Sequence, residues 1–367
     1  MTKATIFGYH GMENFGDDFF LDYILKYCNS IGINEAYVTA RKGSISKSVD
    51  KSIGVNVTAI LPRARVLRGY DKWLLLFLYA LKSDVLFFCA GSIFTILPER
   101  LFLIIIKMIK FLKPSVKIIA VGVSVGPFKD KDSEKAVVEA LSLFNLVIVR
   151  DKKSLKYSIQ TNVKFFNDLA FTHPPKLNLR KEVIGVALNP YASILNKSDL
   201  HIEFERNDKI ASCIINSATK YKAIRIFITC DANTYGDKVL SQDLASKLLD
   251  KGINVEVIAY DGNLHQFEKH LSGVNKLIAS RLHAGFFGLL NGAEVFQLKY
   301  AEKIEEFYRG LNLNNISFYH AYNFTSESLS LFLANEKVNY DADFNSLLNL
   351  SSRVSTEYKN TLSKELR

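Results

Sequence analysis

The sequence predicts an α/β protein of two domains, each a parallel sheet with helices on both faces. Short apolar bursts recur along the chain, each followed by a loop and then a stretch with helical spacing. At 367 residues the chain has room for two domains of roughly 150 residues. Pro174-Pro175 sits in a polar segment from Phe171 to Arg180, where proline removes a donor and disfavours helix before it. That segment is read as the seam. Two Rossmann-like domains facing a cleft follow, with boundaries expected at 1–176 and 177–325. Residues 326–367 are expected to form a helical tail packed on the outside.

In the first half the bursts are Thr5-Phe7, Ala36-Thr39, Val85-Phe88, Lys117-Val121 and Leu146-Val149. In the second they are Ile184-Leu188, Ile224-Thr229, Val255-Ile258, Lys276-Ala279 and Val295-Leu298. Helical stretches are read at Phe19 to Cys28, Ile210 to Tyr221 and Lys238 to Asp250. No repeat is visible at solenoid periods.

Hydrophobic residues make up 48% and charged residues 23%, which excludes wholesale disorder. Lys+Arg number 47 against 37 Asp+Glu, a formal charge of +10 that favours anionic partners. Nucleic acid is excluded for want of any recognition motif. Cys28, Cys89, Cys213 and Cys230 are far apart, so a disulfide framework is not expected and a reducing cytoplasm is. Ala4 to Phe7 is too short for a signal segment, and charges interrupt the hydrophobic region from Trp73 to Leu112. The histidines are scattered, with no metal-ligand spacing.

After the first strand comes Gly8-Tyr9-His10-Gly11-Met12-Glu13-Asn14-Phe15-Gly16-Asp17-Asp18. The glycine spacing is not that of a dinucleotide loop, and Asp17 and Asp18 at the helix entry would repel a pyrophosphate. For Asp18 a helix cap and a site residue both stand. Asn14 and Asp17 read as binding polyol hydroxyls, and Asp17 can also accept a hydroxyl proton.

The most informative stretch is Leu277 to Phe286, where a strand is read to end at Ser280 and a helix to begin near Ala284. In an extended segment Arg281 and His283, two apart, would face a common space. An always-charged fork beside an imidazole suits an anionic substrate that must be protonated. The alternative is an arginine paired to a structural carboxylate and a histidine capping the helix. Arg150 ends another strand, and a clamp on one anion from Arg150 and Arg281 across the cleft is expected. Val121 to Phe128, with Ser124 and Gly126, and Cys89 to Ser92 are strand-end turns where a ligand can approach backbone. Lys299 and Lys303 follow the next strand.

Taken together and in order, these motifs resemble the polysaccharide pyruvyl transferase family. The matching elements are Gly8 to Asp18, Ala90 to Phe94, Val121 to Phe128, Val149 to Ser154, Asn167 to Phe171, Arg281 to Ala284, and Tyr300 to Lys303. The resemblance spans about residues 4 to 310 and implies a fold similar to the two-domain (B-type) glycosyltransferases. It implies phosphoenolpyruvate as donor substrate, no cofactor, and a pyruvyl ketal across two hydroxyls of a saccharide, free or lipid-linked, in surface polysaccharide synthesis. Under it His283 is the acid and Asp17 the second catalytic group. Arg281, Arg150, Lys303, Ser124 and Gly126 bind the donor, and Asn14, Asp18 and Tyr9 the acceptor. The chain departs from the family pattern at Cys89-Ala90, where glycines are common, and at Val123, where glutamine is common.

Two other functions stand beside this one. A nucleotide-sugar glycosyltransferase of the same fold would want two acidic residues eight apart, but here Glu294 has Phe286 as its counterpart. A retained fold without turnover would bind anions only. In the helix from Leu101 to Lys113 the residues Lys107, Lys110 and Lys113 fall on one face. That reads either as a core helix with a solvated edge or as peripheral contact with the inner membrane surface.

Overall fold

A computed structural model describes residues 2–45, 47, 49, 51–63, 70–95, 98–157, 162–177, 182–217, 220–231, 236–335 and 340–366. The end of the expected seam, 178–180, lies outside them. The chain divides into two units. The first comprises Met1–Met12, Asp17–Thr172 and Ser352–Arg367; the second comprises Glu13–Gly16 and His173–Ser351.

The first unit holds β1 (Lys3–Phe7), most of α1 (Phe15–Ser30), β2 (Glu35–Arg41), β3 (Asn56–Leu61) and α2 (Asp71–Lys82). It continues through β4 (Val85–Phe88), α3 (Glu99–Leu112), β5 (Lys117–Val123), α4 (Lys131–Ser142), β6 (Leu146–Val149) and β7 (Val163–Phe165). The strands form one parallel sheet in the order β3-β2-β1-β4-β5-β6-β7. β4 is buried along its whole length, as a strand covered on both faces must be. On one face Phe7, Leu86, Phe88, Ala120 and Val147 pack against Leu76 of α2, Phe102 and Ile106 of α3, Val137 of α4, and Phe144 just after α4.

The second unit holds β8 (Val183–Ala187), α5 (Tyr191–Leu195), α6 (Leu200–Ser217), β9 (Ala223–Ile228), α7 (Lys238–Leu249), β10 (Val255–Ala259) and α8 (Leu264–Leu271). It continues with β11 (Lys276–Ala279), α9 (Leu282–Leu290), β12 (Glu294–Lys299), α10 (Glu302–Tyr308), β13 (Ile316–His320) and α11 (Ser326–Ala334). Its parallel sheet runs β10-β9-β8-β11-β12-β13. Each sheet reverses strand order once, between β1 and β4 and between β8 and β11. Ligands of such sheets sit at the carboxyl ends beside that reversal.

The division falls after Thr172, a little before the expected 176. The expected outer tail is not a body of its own. α12 (Asp341–Leu366) is counted with the second unit up to Ser351 and with the first from Ser352. Val354, Tyr358 and Leu362 are fully buried, and the Tyr358 hydroxyl donates to the Asn167 carbonyl at 2.9 Å. The helix expected there is present, and one side of it is buried in a core.

Candidate active site

In the second unit the site grows from the ends of β8, β9 and β11. α9 starts at Leu282, so Arg281 stands at its N-cap and His283 is already in its first turn. The extended geometry expected for Arg281 and His283 is therefore corrected. The helix starts two residues before the expected Ala284. Arg281 donates through Nε to Asp237 Oδ1 at 2.9 Å, and through Nη2 to the same oxygen. Asp237 is fully buried, and its Oδ2 accepts from Thr229 N, Thr229 Oγ1 and Cys230 N at 3.0, 2.8 and 3.2 Å. Burial opposes the charge on Arg281, but the charge and hydrogen bonds of Asp237 outweigh it and raise the guanidinium pKa. Ser280 Oγ donates to Asn189 Oδ1 at 2.6 Å, tying the end of β11 to the loop after β8.

Glu13–Gly16 belongs to this unit. Phe15 packs against Tyr260, Phe267 and Phe287, with ring centroids 5.7, 5.0 and 4.9 Å away, and its amide donates to the Thr229 carbonyl. Glu13, at φ 54, is in the left-handed region, a strained turn for a non-glycine residue. α1 begins at Phe15, four residues earlier than its spacing predicted, so Asp18 lies inside the helix and does not cap it. Asn14 does: its Oδ1 accepts from Gly16 N at 3.1 Å. Gly16 lies against the imidazole of His283, since a Cβ added there would stand 2.1 Å from Nδ1. Lys303 is exposed with Nζ 5.1 Å over the Tyr300 ring, and Lys299 pairs with Glu305.

In the first unit a second polar cluster stands at the ends of β1, β4, β5 and β6. Arg150 donates through Nε to Ser124 Oγ at 2.9 Å and through Nη1 to Asp168 Oδ2 at 2.7 Å. Its Nη2 lies 3.5 Å from Ser92 Oγ. The anion-seeking arginine is thus already engaged, with Asp168 almost wholly buried. Gly91 makes room for it: a Cβ there would meet Nη1 and Nη2 at 2.5 Å. Gly126 lies against Tyr157. Cys89 is buried, and burial, with the charges of Asp17 and Asp168, pushes its thiol pKa well up.

Beside it, Asp18 Oδ1 accepts from Gly11 N at 2.9 Å and closes the loop. His10 Nδ1 lies 3.0 Å from the Asp17 carbonyl oxygen, which can only accept, so Nδ1 carries the proton. Burial, reinforced by Lys72, lowers the His10 pKa to about 4 although the Asp17 bond opposes it. Burial and the charge of Asp17 raise the Tyr9 phenol to about 12. Sequence reasoning missed Lys72. Its Nζ sits 4.3 Å over the Phe7 ring and 5.1 Å over Tyr9, and burial lowers its pKa to about 8. It also missed Asp237 and passed over Asp168 as a site residue. Asn167 to Phe171 was in view as a motif, whereas nothing near Asp237 in the chain marks it.

The acidic clamp of a nucleotide-sugar enzyme is not formed by Glu294, which is buried and paired with Lys276 at 2.5 Å, and Phe286 is fully buried among Phe307 and Tyr308.

Two parallel sheets of this order, with flanking helices, define the fold of the two-domain, B-type glycosyltransferases and their epimerase relatives. UDP-GlcNAc 2-epimerase of Neisseria meningitidis, solved with UDP-GlcNAc, superposes with TM-score 0.60 at 12% identity, covering 99% of this chain and 100% of its own. The Methanocaldococcus jannaschii UDP-GlcNAc 2-epimerase gives 0.59 at 13%, over 97% and 100%. Anabaena Alr3699/HepE, solved with UDP and glucose, gives 0.58 at 10%, over 99% and 100%. At such identities the likeness is one of fold. The chain belongs to the polysaccharide pyruvyl transferase family, whose model matches residues 14–301. No curated protein matches the chain.

Proposed function

We propose that the protein transfers pyruvate from phosphoenolpyruvate onto two hydroxyls of a saccharide, forming a ketal and releasing phosphate. Family membership supports pyruvate transfer in polysaccharide synthesis. The observation that carries the donor assignment is Arg281 at the N-cap of α9 with His283 in its first turn. An anion there meets helix amides and a guanidinium oriented by Asp237. Lys303 adds positive charge in the same unit.

His283 gives a proton to C3 of the enol, which makes C2 electrophilic, and one saccharide hydroxyl bonds to C2. The C2–O bond to phosphate then breaks and a second hydroxyl closes the ketal. Of the two hydroxyl protons released, one restores the acid and the other leaves on phosphate. Asp17, which follows Gly16 in the chain, is the carboxylate assigned to the first hydroxyl proton. Tyr9, held neutral, offers a hydroxyl to the saccharide. Asn14 and Asp18 shape the loop; Arg150 and Ser124, with Gly126, organise the strand ends of the first unit.

Titration calorimetry with phosphoenolpyruvate and with UDP-sugars tests this. Saturable phosphoenolpyruvate binding is expected, lost in Arg281→Ala and kept in His283→Gln, with phosphate release to a saccharide acceptor lost in both. Binding of a UDP-sugar in its place would overturn the reading. Full turnover by His283→Gln would overturn the acid.

A further inference from the structure

α2 and α3 cover one face of the first unit's sheet. Their inner sides are conventional: Leu76 and Ala80 on α2, and Phe102, Ile106 and Ile109 on α3, are fully buried. Their outer sides are not. α2 exposes Leu74 and Leu78, four residues apart; α3 exposes Ile104, Met108, Phe111 and Leu112, with Phe111 at 83%. A helix of a water-facing layer carries polar residues there. The two helices lie side by side in the same direction. Trp73 and Phe102 meet near their starts with centroids 6.4 Å apart, and Lys113 Nζ donates to the Leu81 and Ser83 carbonyls at their ends, at 3.2 and 2.6 Å.

Most of the charge that the two helices carry is basic. Lys82, Arg100 and Lys107 border the stripes, and Lys110 and Lys113 lie further round α3, while the acidic residues of the two helices are Asp71, which is buried, and Glu99. Lys110 is anchored on the Val116 carbonyl and Asn145 Oδ1, at 2.8 and 2.9 Å. Glu139 and Asp132, from α4, pair with Lys107 at 2.5 Å and Arg100 at 3.9 Å and offset part of this charge. The chain as a whole carries +10.

We infer that this face docks on an anionic lipid bilayer. Phe111, Leu112, Met108 and Ile104 enter the boundary between headgroups and acyl chains, and the cations lie at the phosphates. A second copy of the same face fits less well, because it would bring the exposed Lys82 and Arg100 of both copies together. Among the described residues no helix is long and apolar enough to cross a membrane, so the contact is peripheral. Such docking brings the protein to where lipid-linked saccharides are found, and it names the class of acceptor for the proposed transfer.

Flotation with vesicles of phosphatidylethanolamine and phosphatidylglycerol, against phosphatidylcholine alone, reads this without turnover. Failure here therefore leaves the pyruvyl transfer reading untouched. Wild-type protein is expected to float with the anionic vesicles and to lose on the order of tenfold in partitioning when Phe111→Ser and Met108→Ser are combined. Since Trp73, the single tryptophan, is nearly buried, Phe111→Trp adds a reporter whose emission shifts to the blue on those vesicles. No flotation of the wild type, unchanged flotation of the double variant, or no emission shift would overturn the inference. So would a dimer in sedimentation that the double variant dissociates.

Discussion

The tightest contact in the candidate site is between a glycine and an imidazole, and it yields the most exposed prediction. Gly16→Ala would place a methyl 2.1 Å from His283 Nδ1 and 2.9 Å from Cε1, where ordinary contact begins near 3.4 Å. The ring must retreat by about 1 Å, because Asn14 and the buried Phe15 ring hold the glycine backbone in place. A misplacement of about 1 Å in a reacting group costs on the order of a hundredfold in rate. The stability balance is smaller: overpacking costs about 1–3 kcal/mol, and replacing glycine in a helix returns about 1 kcal/mol. Turnover should therefore fall roughly a hundredfold while the denaturant midpoint moves little. Phosphate release at saturating phosphoenolpyruvate, with urea unfolding of the same variant, reads both. Wild-type turnover in Gly16→Ala would mean that the position of the His283 ring does not matter, and the acid would have to be sought elsewhere. A midpoint that collapses together with the rate would instead make Gly16 a packing residue.

Other consequences follow from the buried charges. Asp237→Asn replaces an acceptor-only carboxylate that meets donors at both oxygens, and should cost about 3–5 kcal/mol by urea unfolding. His10 is neutral in the folded chain down to about pH 4, whereas the unfolded chain takes up its proton near 6.5. Its contribution is complete above 6.5 and falls away as the pH drops from there to about 4, by about 3 kcal/mol. Urea midpoints at a series of pH values should show that slope in the wild type and lose it in His10→Gln. Gly91→Ala should push the Arg150 fork off Asp168 and cost about 2–4 kcal/mol by urea unfolding.

All ten strands read from apolar bursts are present, and the three further strands among the described residues are all edges. β3 and β7 flank the first sheet and β13 one side of the second. A central strand is covered on both faces and reads as a continuous apolar run. β3 (Asn56–Leu61) and β13 (Ile316–His320) mix polar with apolar residues, with exposed positions in each, and β7 spans three residues. The start of α6 was missed for a related reason. Its first turns contain Glu203, Arg206 and Asn207, polar residues that read as surface yet are buried, Glu203 and Arg206 as an ion pair at 3.0 Å. One residue's charge is neutralised by another three positions on, and a hydrophobic pattern has no term for that.

For the site the limit was partnership over distance. Arg281 and Arg150 were legible as strand-end cations, but their aspartates lie 44 and 18 residues away in the chain and are what orient them. The departures from the family pattern look different once their side chains are placed. Ala90 and Val123 belong to the apolar core of the first unit, and the buried Cys89 thiol reaches the Phe20 carbonyl at 3.6 Å. What these positions lend to the polar cluster is backbone: the Val123 carbonyl accepts from Arg150 N at 3.0 Å, and the Gly91 carbonyl next to Ala90 accepts from Ser124 N at 2.6 Å. Valine supplies its carbonyl as well as any residue would, and the second carbonyl comes from Gly91, which matches the family pattern. The substitutions alter how the core is filled, and Arg150, Asp168, Ser92 and Ser124, the polar side chains at these strand ends, are all in place.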